Sequence, residues 1–402
     1  MARLKKRASV GRMDDAVRSD CYIEMEVKQS GGITLNLESK VGTLYGEAIR
    51  LQLVEICAAL GVRHSTFRII DRGALPFVLA ARIETAIKRA LPTVAEEYLA
   101  EPIVRTRLPE QTDRLRRTRL YLPGNEPKFF PNAGLHRPDV AILDLEDSVP
   151  PEEKDAARLL VRNALRCIDF SGAERAVRIN QGQLGLLDLR MIVPHTPDLL
   201  LIPKCEDPET VQFIDSEVRA IEMRHHLGSS VLLLPIIESA LGVENAYAIA
   251  SASSRVCALA IGLEDYTADI GVERTPAGKE SLFARMAVMN AAKAAGIQAL
   301  DSVYADVDDL EGLFTSAVEA KSLGFDGKGC IHPRQISVIH AAFAPTDQEI
   351  ERARLIVRAS KEARRAGSGV VALGSKMIDA PVVARAERLL RLAHLLEQKG
   401  GV

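Results

Sequence analysis

At 402 residues the chain is too long for one average domain, and its 47% hydrophobic content is ample for buried cores. Its 52 basic and 54 acidic residues leave a formal net charge of -2, which gives no electrostatic reason to expect nucleic acid as a partner. None of the six cysteines is spaced as CxxC, and there is neither a signal-peptide stretch nor an apolar run of membrane-spanning length, so a soluble, cytoplasmic protein with no membrane partner is expected.

Residues 1–15, MARLKKRASVGRMDD, are polar and basic and predict a flexible tail. From Cys21 the residues alternate, with Tyr22, Glu24 and Glu26 against Ile23, Met25 and Val27, and they do so again in ITLNLES. This predicts two strands joined as a hairpin around Ser30-Gly31-Gly32. Leu44, Ile49, Leu53, Ile56 and Leu60 follow a helical period that stops at Gly61. A strand at TFRII and a helix through LPFVLAARIETAIKRAL complete a small α+β domain over 16–91. Residues 92–113 carry prolines and many charges without apolar periodicity and read as a linker.

Beyond the linker, eight short apolar runs alternate with helix-like stretches: RLYLPG, VAILDLED, AVRIN, LLLIPK, VLLLPIIES, ALAIGLED, IQALDSVYAD and KGCIHP. A doubly wound sheet would show the same alternation, but eight units predict an α/β fold of the (β/α)8 TIM barrel type over 114–340. In the remainder, 341–402, TDQEIERARLIVRASKEARRAG is a charged helix. KMIDAPVVARAERLLRLAHLLEQ starts as a loop and becomes another, giving a C-terminal helical extension.

Barrel enzymes build their sites at the C-terminal ends of the strands. Those ends carry Asp144, Glu146, Asp147, Arg178, Asn180, Lys204, Glu238, Glu264, Asp265, Asp301 and His332. Scattered acids are usually solvated surface, yet Asp144, Glu146, Glu238, Glu264 and Asp265 converging on one face suit Mg2+, which takes one or two carboxylates and keeps several waters. No histidine cluster suggests zinc. Arg178 reads either as a structural ion pair or as a fork for a substrate carboxylate, and the acids around it favour the second. Lys204 reads as a contact to an acidic substrate, a Schiff-base lysine or a salt bridge, and His332 either as a residue that shapes the pocket or as a histidine packed under the rim. Neither GxGxxG nor GxxxxGK[ST] occurs, so nothing points to ATP chemistry.

Taken in order, RRTRLYLPGN, AILDLEDSV, AVRIN, LLIPK, PIIESALGV, IGLEDYTADIG, GFDGKGCIHPRQI and KMIDAPVV resemble the citrate lyase β-subunit and its HpcH/HpaI aldolase relatives over residues 114–390. The resemblance implies a Mg2+-dependent carbon–carbon lyase acting on a small acyl thioester. Glu238 and Asp265 would be the metal ligands and Arg178 the group that holds the substrate carboxylate, while Asp144, Glu146 and Asp147 would lie beside the metal. Arg117, Gly124, Arg178 and Glu238 would line the substrate pocket, and Arg178, Glu146, Asp147 and Asp379 form the implied catalytic set. Asp379, in MIDAPV, resembles the acid on a C-terminal lid that reaches a neighbouring subunit. That implies a homo-oligomer, commonly a trimer, although a helix cap is an equal reading of the residue itself.

The first domain resembles the small acyl carrier subunit of citrate lyase through YIEMEV, ITLNLES, LYGEAIR and DRGALPFVLAARIETAIKRA. That subunit carries a CoA-derived phosphoribosyl-dephospho-CoA group on a serine. Aligned without gaps, the modified serine falls on Arg18, so Ser19 is the candidate attachment site after a shift of one residue, and a purely structural domain is the alternative. The implied reaction is cleavage of a citryl thioester to oxaloacetate and an acetyl thioester, with an acyl transferase resembling the citrate lyase α-subunit as partner. Malyl-CoA or citramalyl-CoA lyase activity, and a non-catalytic assembly or carrier role, are the competing readings.

Overall fold

The computed structural model describes residues 7–14, 16–103, 114–228, 231–365, 371–373 and 376–400. The N-terminal domain is a four-stranded sheet of β1 (Arg7–Val10), β2 (Cys21–Val27), β3 (Ile33–Ser39) and β4 (Ser65–Asp71), in the order β1-β2-β4-β3. The expected alternation of β2 is present, with Cys21, Ile23 and Met25 buried. The expected hairpin is not: β4 inserts between its two strands, antiparallel to β2 and parallel to β3. Burial explains the order. Phe67 and Ile69 of β4 are fully buried and take the centre, whereas β3 exposes Thr34, Asn36 and Glu38 and takes an edge, from which the chain crosses through helix α1 (Gly42–Ala59) to β4. Part of the expected flexible tail is also ordered, because Arg7–Val10 pairs with β2 and buries Val10.

Helix α2 (Pro76–Ala90) is buried along nearly its whole length, between this sheet and helix α3 (Lys154–Cys167) of the barrel. Ion pairs lock the junction: Arg82 to Asp20 at 2.6 Å within the first domain, and Arg162 of α3 to Glu84 of α2 at 2.6 Å across it. The described part of the linker follows α3, where the Ile103 amide donates to the Arg166 carbonyl at 2.9 Å.

The eight expected strands form a closed parallel barrel: β5 (Thr118–Pro123), β6 (Val140–Asp144), β7 (Glu174–Arg178), β8 (Leu199–Ile202), β9 (Leu232–Ile237), β10 (Ala258–Ile261), β11 (Gln298–Asp301) and β12 (Gly327–Cys330). Pairing of Lys328, Gly329 and Cys330 with Thr118, Arg119 and Leu120 closes the ring. Val140, Ile142, Ala176, Leu199, Leu201, Leu234, Ile236, Ala260 and Leu300 fill the interior, while a second apolar layer joins the outer wall to the helices. The pleat then aims the site. Continuing the inward series of β6, β7 and β9 by two residues brings Asp144, Arg178 and Glu238 to the inside of the mouth.

Helices Asp347–Arg365 and Ala380–Gly400 pack on each other in the C-terminal extension. The segment read as a loop before the last helix contains a two-stranded ribbon, Val371–Leu373 with Lys376–Ile378. No helix among the described residues is long and apolar enough to cross a membrane.

Beneath the barrel wall, burial and then the nearby Arg166 and Arg162 push the His195 imidazole down to about 3. An unfolded chain takes up that proton near pH 6.5, so the stability present above pH 6.5 is lost as pH falls from there towards 3. We expect His195→Asn, which keeps an acceptor for Arg166, to flatten the urea midpoint between pH 6.5 and 4. An unchanged pH profile would remove His195 from the acid response.

Candidate active site

The mouth of the barrel gathers five carboxyl groups around two cations. Arg178, at the end of β7, grips Asp144 with two parallel hydrogen bonds, Nε to Oδ1 at 2.7 Å and Nη2 to Oδ2 at 2.8 Å. Its Nη1 lies 3.0 Å from Glu146 and 3.6 Å from Asp147, and its guanidinium stacks over the Tyr121 ring, 5.4 Å from the centroid. Asp144 also accepts the Glu146 amide at 2.9 Å and the Ser148 hydroxyl, so the turn after β6 wraps around its carboxylate. Burial pushes Asp144 up, but the Arg178 bonds outweigh it and hold the carboxyl below its ordinary range.

Lys204 ties the second half of the site together. Its ammonium stands 2.9 Å from Glu146, 3.2 Å from Asp147 and 3.7 Å from Asp265, while its backbone N–H donates to Glu238 Oε2 at 2.9 Å. The residue sits at φ 47°, a left-handed backbone that side-chain-bearing residues seldom adopt. The bond to Glu238 needs the amide aimed this way. Burial works against the lysine charge, yet Glu146 and Asp147 keep its pKa well above the ordinary value.

Glu238 is buried, and burial, aided by nearby Asp265 and Glu146, pushes its carboxyl up to about 7. Burial likewise raises Glu146, against the pull of Arg178 and Lys204. Adjacent Asp147 lies below its ordinary range because the Glu146 hydrogen bond and Arg178 outweigh its own partial burial. Two neighbouring carboxyls with pKa values driven apart can share one proton between them. Glycines complete the shape. A Cβ on Gly262 would stand 2.6 Å from Glu238 Cγ, and one on Gly124 would run into the Asp144 carbonyl and lie 3.2 Å from Leu145. We expect Gly262→Ala to cost more than about tenfold in kcat/KM by displacing Glu238, with a Tm shift of only a few degrees. Wild-type turnover in that variant would show that Glu238 does not need this position.

Glu238 and Asp265 present hard oxygen donors, and the surplus of carboxyls over cations around them favours a divalent cation; this donor set fits Mg2+. Among the described residues no group of three or more His, Cys, Asp or Glu side chains is gathered tightly enough to hold a metal alone. A cleft of about 590 Å3 opens beside Lys204, lined by Asn180, Gln181, Leu186, Pro203 and Phe213 among others.

Other expected site residues lie elsewhere. Arg117 precedes β5, so it stands at the N-terminal end of the barrel rather than in the pocket. There it is buried against Asp139, with Nε to Oδ2 at 2.8 Å, beside a separate cleft of about 790 Å3. Asp379 is exposed and caps the last helix, accepting the Val382 amide at 3.1 Å, outside the network at the mouth. Ser19 occupies a turn at φ 55° beside exposed Arg18, its amide donating to the Arg72 carbonyl at 3.1 Å. Glu264 pairs with Arg274, and His332 accepts the Arg334 amide at 3.2 Å. Sequence reasoning passed over Tyr121, Ser148 and Gly262. For Tyr121 the signal was its alternation with outward Leu120 and Leu122 in RLYLPG.

A family model described as HpcH/HpaI aldolase/citrate lyase matches residues 117–333, and one described as malonate decarboxylase delta subunit matches residues 5–90. The citrate lyase subunit beta of Haemophilus influenzae is 43% identical over 283 residues, which are 70% of this chain and 97% of that protein. The mitochondrial citramalyl-CoA lyase of Rattus norvegicus is 33% identical over 296 residues, covering 71% of this chain and 88% of that one. Among solved structures, the CitE protein of Mycobacterium tuberculosis in complex with magnesium, acetoacetate and coenzyme A superposes with a TM-score of 0.59 at 31% identity, over 70% of this chain and 99% of the other. The chain therefore belongs to the HpcH/HpaI aldolase/citrate lyase family.

Proposed function

We propose that this carbon–carbon lyase uses Mg2+ to cleave a citryl thioester, bound to CoA or to a carrier, into oxaloacetate and an acetyl thioester. The observation that carries the reading is the arrangement of Arg178, Lys204 and five carboxyls at one barrel mouth, in a chain 43% identical to a citrate lyase β-subunit. Glu238 and Asp265 would hold the ion, which when bound supplies positive charge beside the 2-oxygen of the substrate. Arg178, fixed by Asp144 and Tyr121, has guanidinium N–H groups beyond those on Asp144 and orients the adjacent carboxylate. The Glu146–Asp147 pair takes the hydroxyl proton. The C–C electron pair then passes to the thioester α-carbon as an enolate, and protonation of that carbon releases the acetyl thioester.

Two further assignments belong to this reading. Ser19 would carry the thiol-bearing prosthetic group for a separate acyl transferase, and exposed Asp379 would complete the site of a neighbouring subunit in a homotrimer. Arg18 at the serine position favours a second reading, cleavage of free malyl-CoA or citramalyl-CoA by the same groups.

The test mixes the full chain with Mg2+ and citryl-CoA, malyl-CoA or citramalyl-CoA, with EDTA controls. Oxaloacetate, glyoxylate and pyruvate are followed by coupled reduction. EDTA-sensitive release of oxaloacetate from citryl-CoA is the expected result, and preference for either other thioester moves the protein to the second reading. Inertness towards all three sinks the free-CoA form of both.

A further inference from the structure

Arg119 lies deep in the barrel with most of its donors unspent. It alternates with Tyr121, whose ring packs against the interior cluster, whereas Leu120 and Leu122 pack outward, so Arg119 faces the barrel axis. The residue is 1% exposed. Nη2 donates to the Asp301 carbonyl at 2.5 Å, but Nε and Nη1 are buried without a hydrogen-bond partner among the described residues. Its cross-strand neighbours, Val140 and Gly329, bring no polar side chain. The carboxylate of Asp301 is spoken for, held by Arg285 at 3.1 Å and Lys328 at 2.8 Å.

A guanidinium stays charged in protein interiors, and a buried charge with neither counter-charge nor filled donors is strongly disfavoured. Water can satisfy donors, but it does not neutralise the charge. We propose that the barrel interior binds a small monovalent anion against the free N–H groups of Arg119, beneath Tyr121 and the substrate site. The chemistry is that of a halide or a carboxylate. It can arrive as a free ion or, on the lyase reading given above, as the second carboxylate of a dicarboxylic 2-oxo acid.

The test measures Tm of the full chain in sodium chloride, bromide and acetate against gluconate, which is too large for the interior, at constant ionic strength. Wild type is expected to gain at least about 2 °C at saturation in the small anions. Arg119→Met, an apolar replacement of similar length, is expected to lose that response, and a bromide-soaked crystal to show an anomalous peak within hydrogen-bond reach of Nε or Nη1. If the anion is instead the substrate's, Arg119→Met raises the inhibition constant of oxaloacetate more than tenfold and leaves that of pyruvate unchanged. The proposal is overturned if wild type shows neither an anion-specific Tm rise nor a bromide peak and oxaloacetate inhibition is untouched by the substitution. An equal Tm rise in Arg119→Met, again with unchanged oxaloacetate inhibition, also overturns it. Should Arg119→Met fail to fold, the wild-type titration and the bromide crystal decide between free ion and none, and Arg119→Lys replaces it in the inhibition comparison.

Discussion

Glu238→Gln is expected to lower thioester cleavage by roughly a hundredfold or more, the scale on which removing one preorganised charge-stabilising group acts, while making the metal-free protein more stable at pH 8. The two halves have one cause. Burial raises the Glu238 carboxyl from its ordinary 4.5 to about 7, so folding opposes its ionisation. The stability that the protonated form contributes is complete below pH 4.5 and is lost as pH rises through 7, a difference of about 3 kcal/mol. Glutamine keeps the shape and an acceptor for the Lys204 amide without that charge. Urea midpoints in EDTA should therefore converge near pH 4.5 and separate in favour of the variant by pH 8, and adding Mg2+ should stabilise wild type alone. A variant that turns over normally, or is less stable than wild type at pH 8 in EDTA, would contradict the assignment of Glu238 as a strained charge held for a cation.

How much of this was readable beforehand depends on whether the signal is local. The eight barrel strands were legible because each is a short apolar run closed by a polar residue, and because period-two alternation carries Asp144 and Glu238 to the inside of the mouth. Arg117 was misplaced by its nearness to a motif. A residue just before a strand lies at the opposite end from that strand's C-terminal edge, and the Asp139 that engages it is 22 positions away. The order of β2, β4 and β3 was hidden as well, since adjacent alternating runs look like a hairpin whether or not a third strand enters between them. Strand β1 offered only Val10 as a buried apolar residue, too little for a periodicity. Arg178 carried two readings, and the structure shows the first, an ion pair with Asp144 extended by Nη1 to Glu146; a fork for a substrate carboxylate belongs to the proposed function.

The junction between the domains shows the same limit and yields the largest stability effect we expect. Helix α2 reads in sequence as an ordinary amphipathic helix of a small domain, yet Arg82, Glu84 and Thr85 are buried along with its apolar residues. Arg162 on α3 makes two contacts to Glu84, at 2.6 and 3.1 Å, and also donates to the Tyr98 carbonyl at 3.1 Å; neither charged side chain is exposed at all. Among the described residues only Lys88, at 3.1 Å, offers Glu84 another cation. Arg162→Met leaves a buried carboxylate that has lost its two shortest bonds and keeps only Lys88 and the Tyr98 amide among the described residues, so a loss of about 3–5 kcal/mol is expected. Because the pair spans the interface, urea unfolding monitored separately in the sheet and the barrel should split into two transitions, where wild type gives one. Adding Glu84→Leu should restore most of the stability, since exchanging a whole buried pair for apolar side chains is often neutral or better. If the double variant remains as unstable as Arg162→Met, the bond from Arg162 to the Tyr98 carbonyl secures the junction, and the charge pair contributes little.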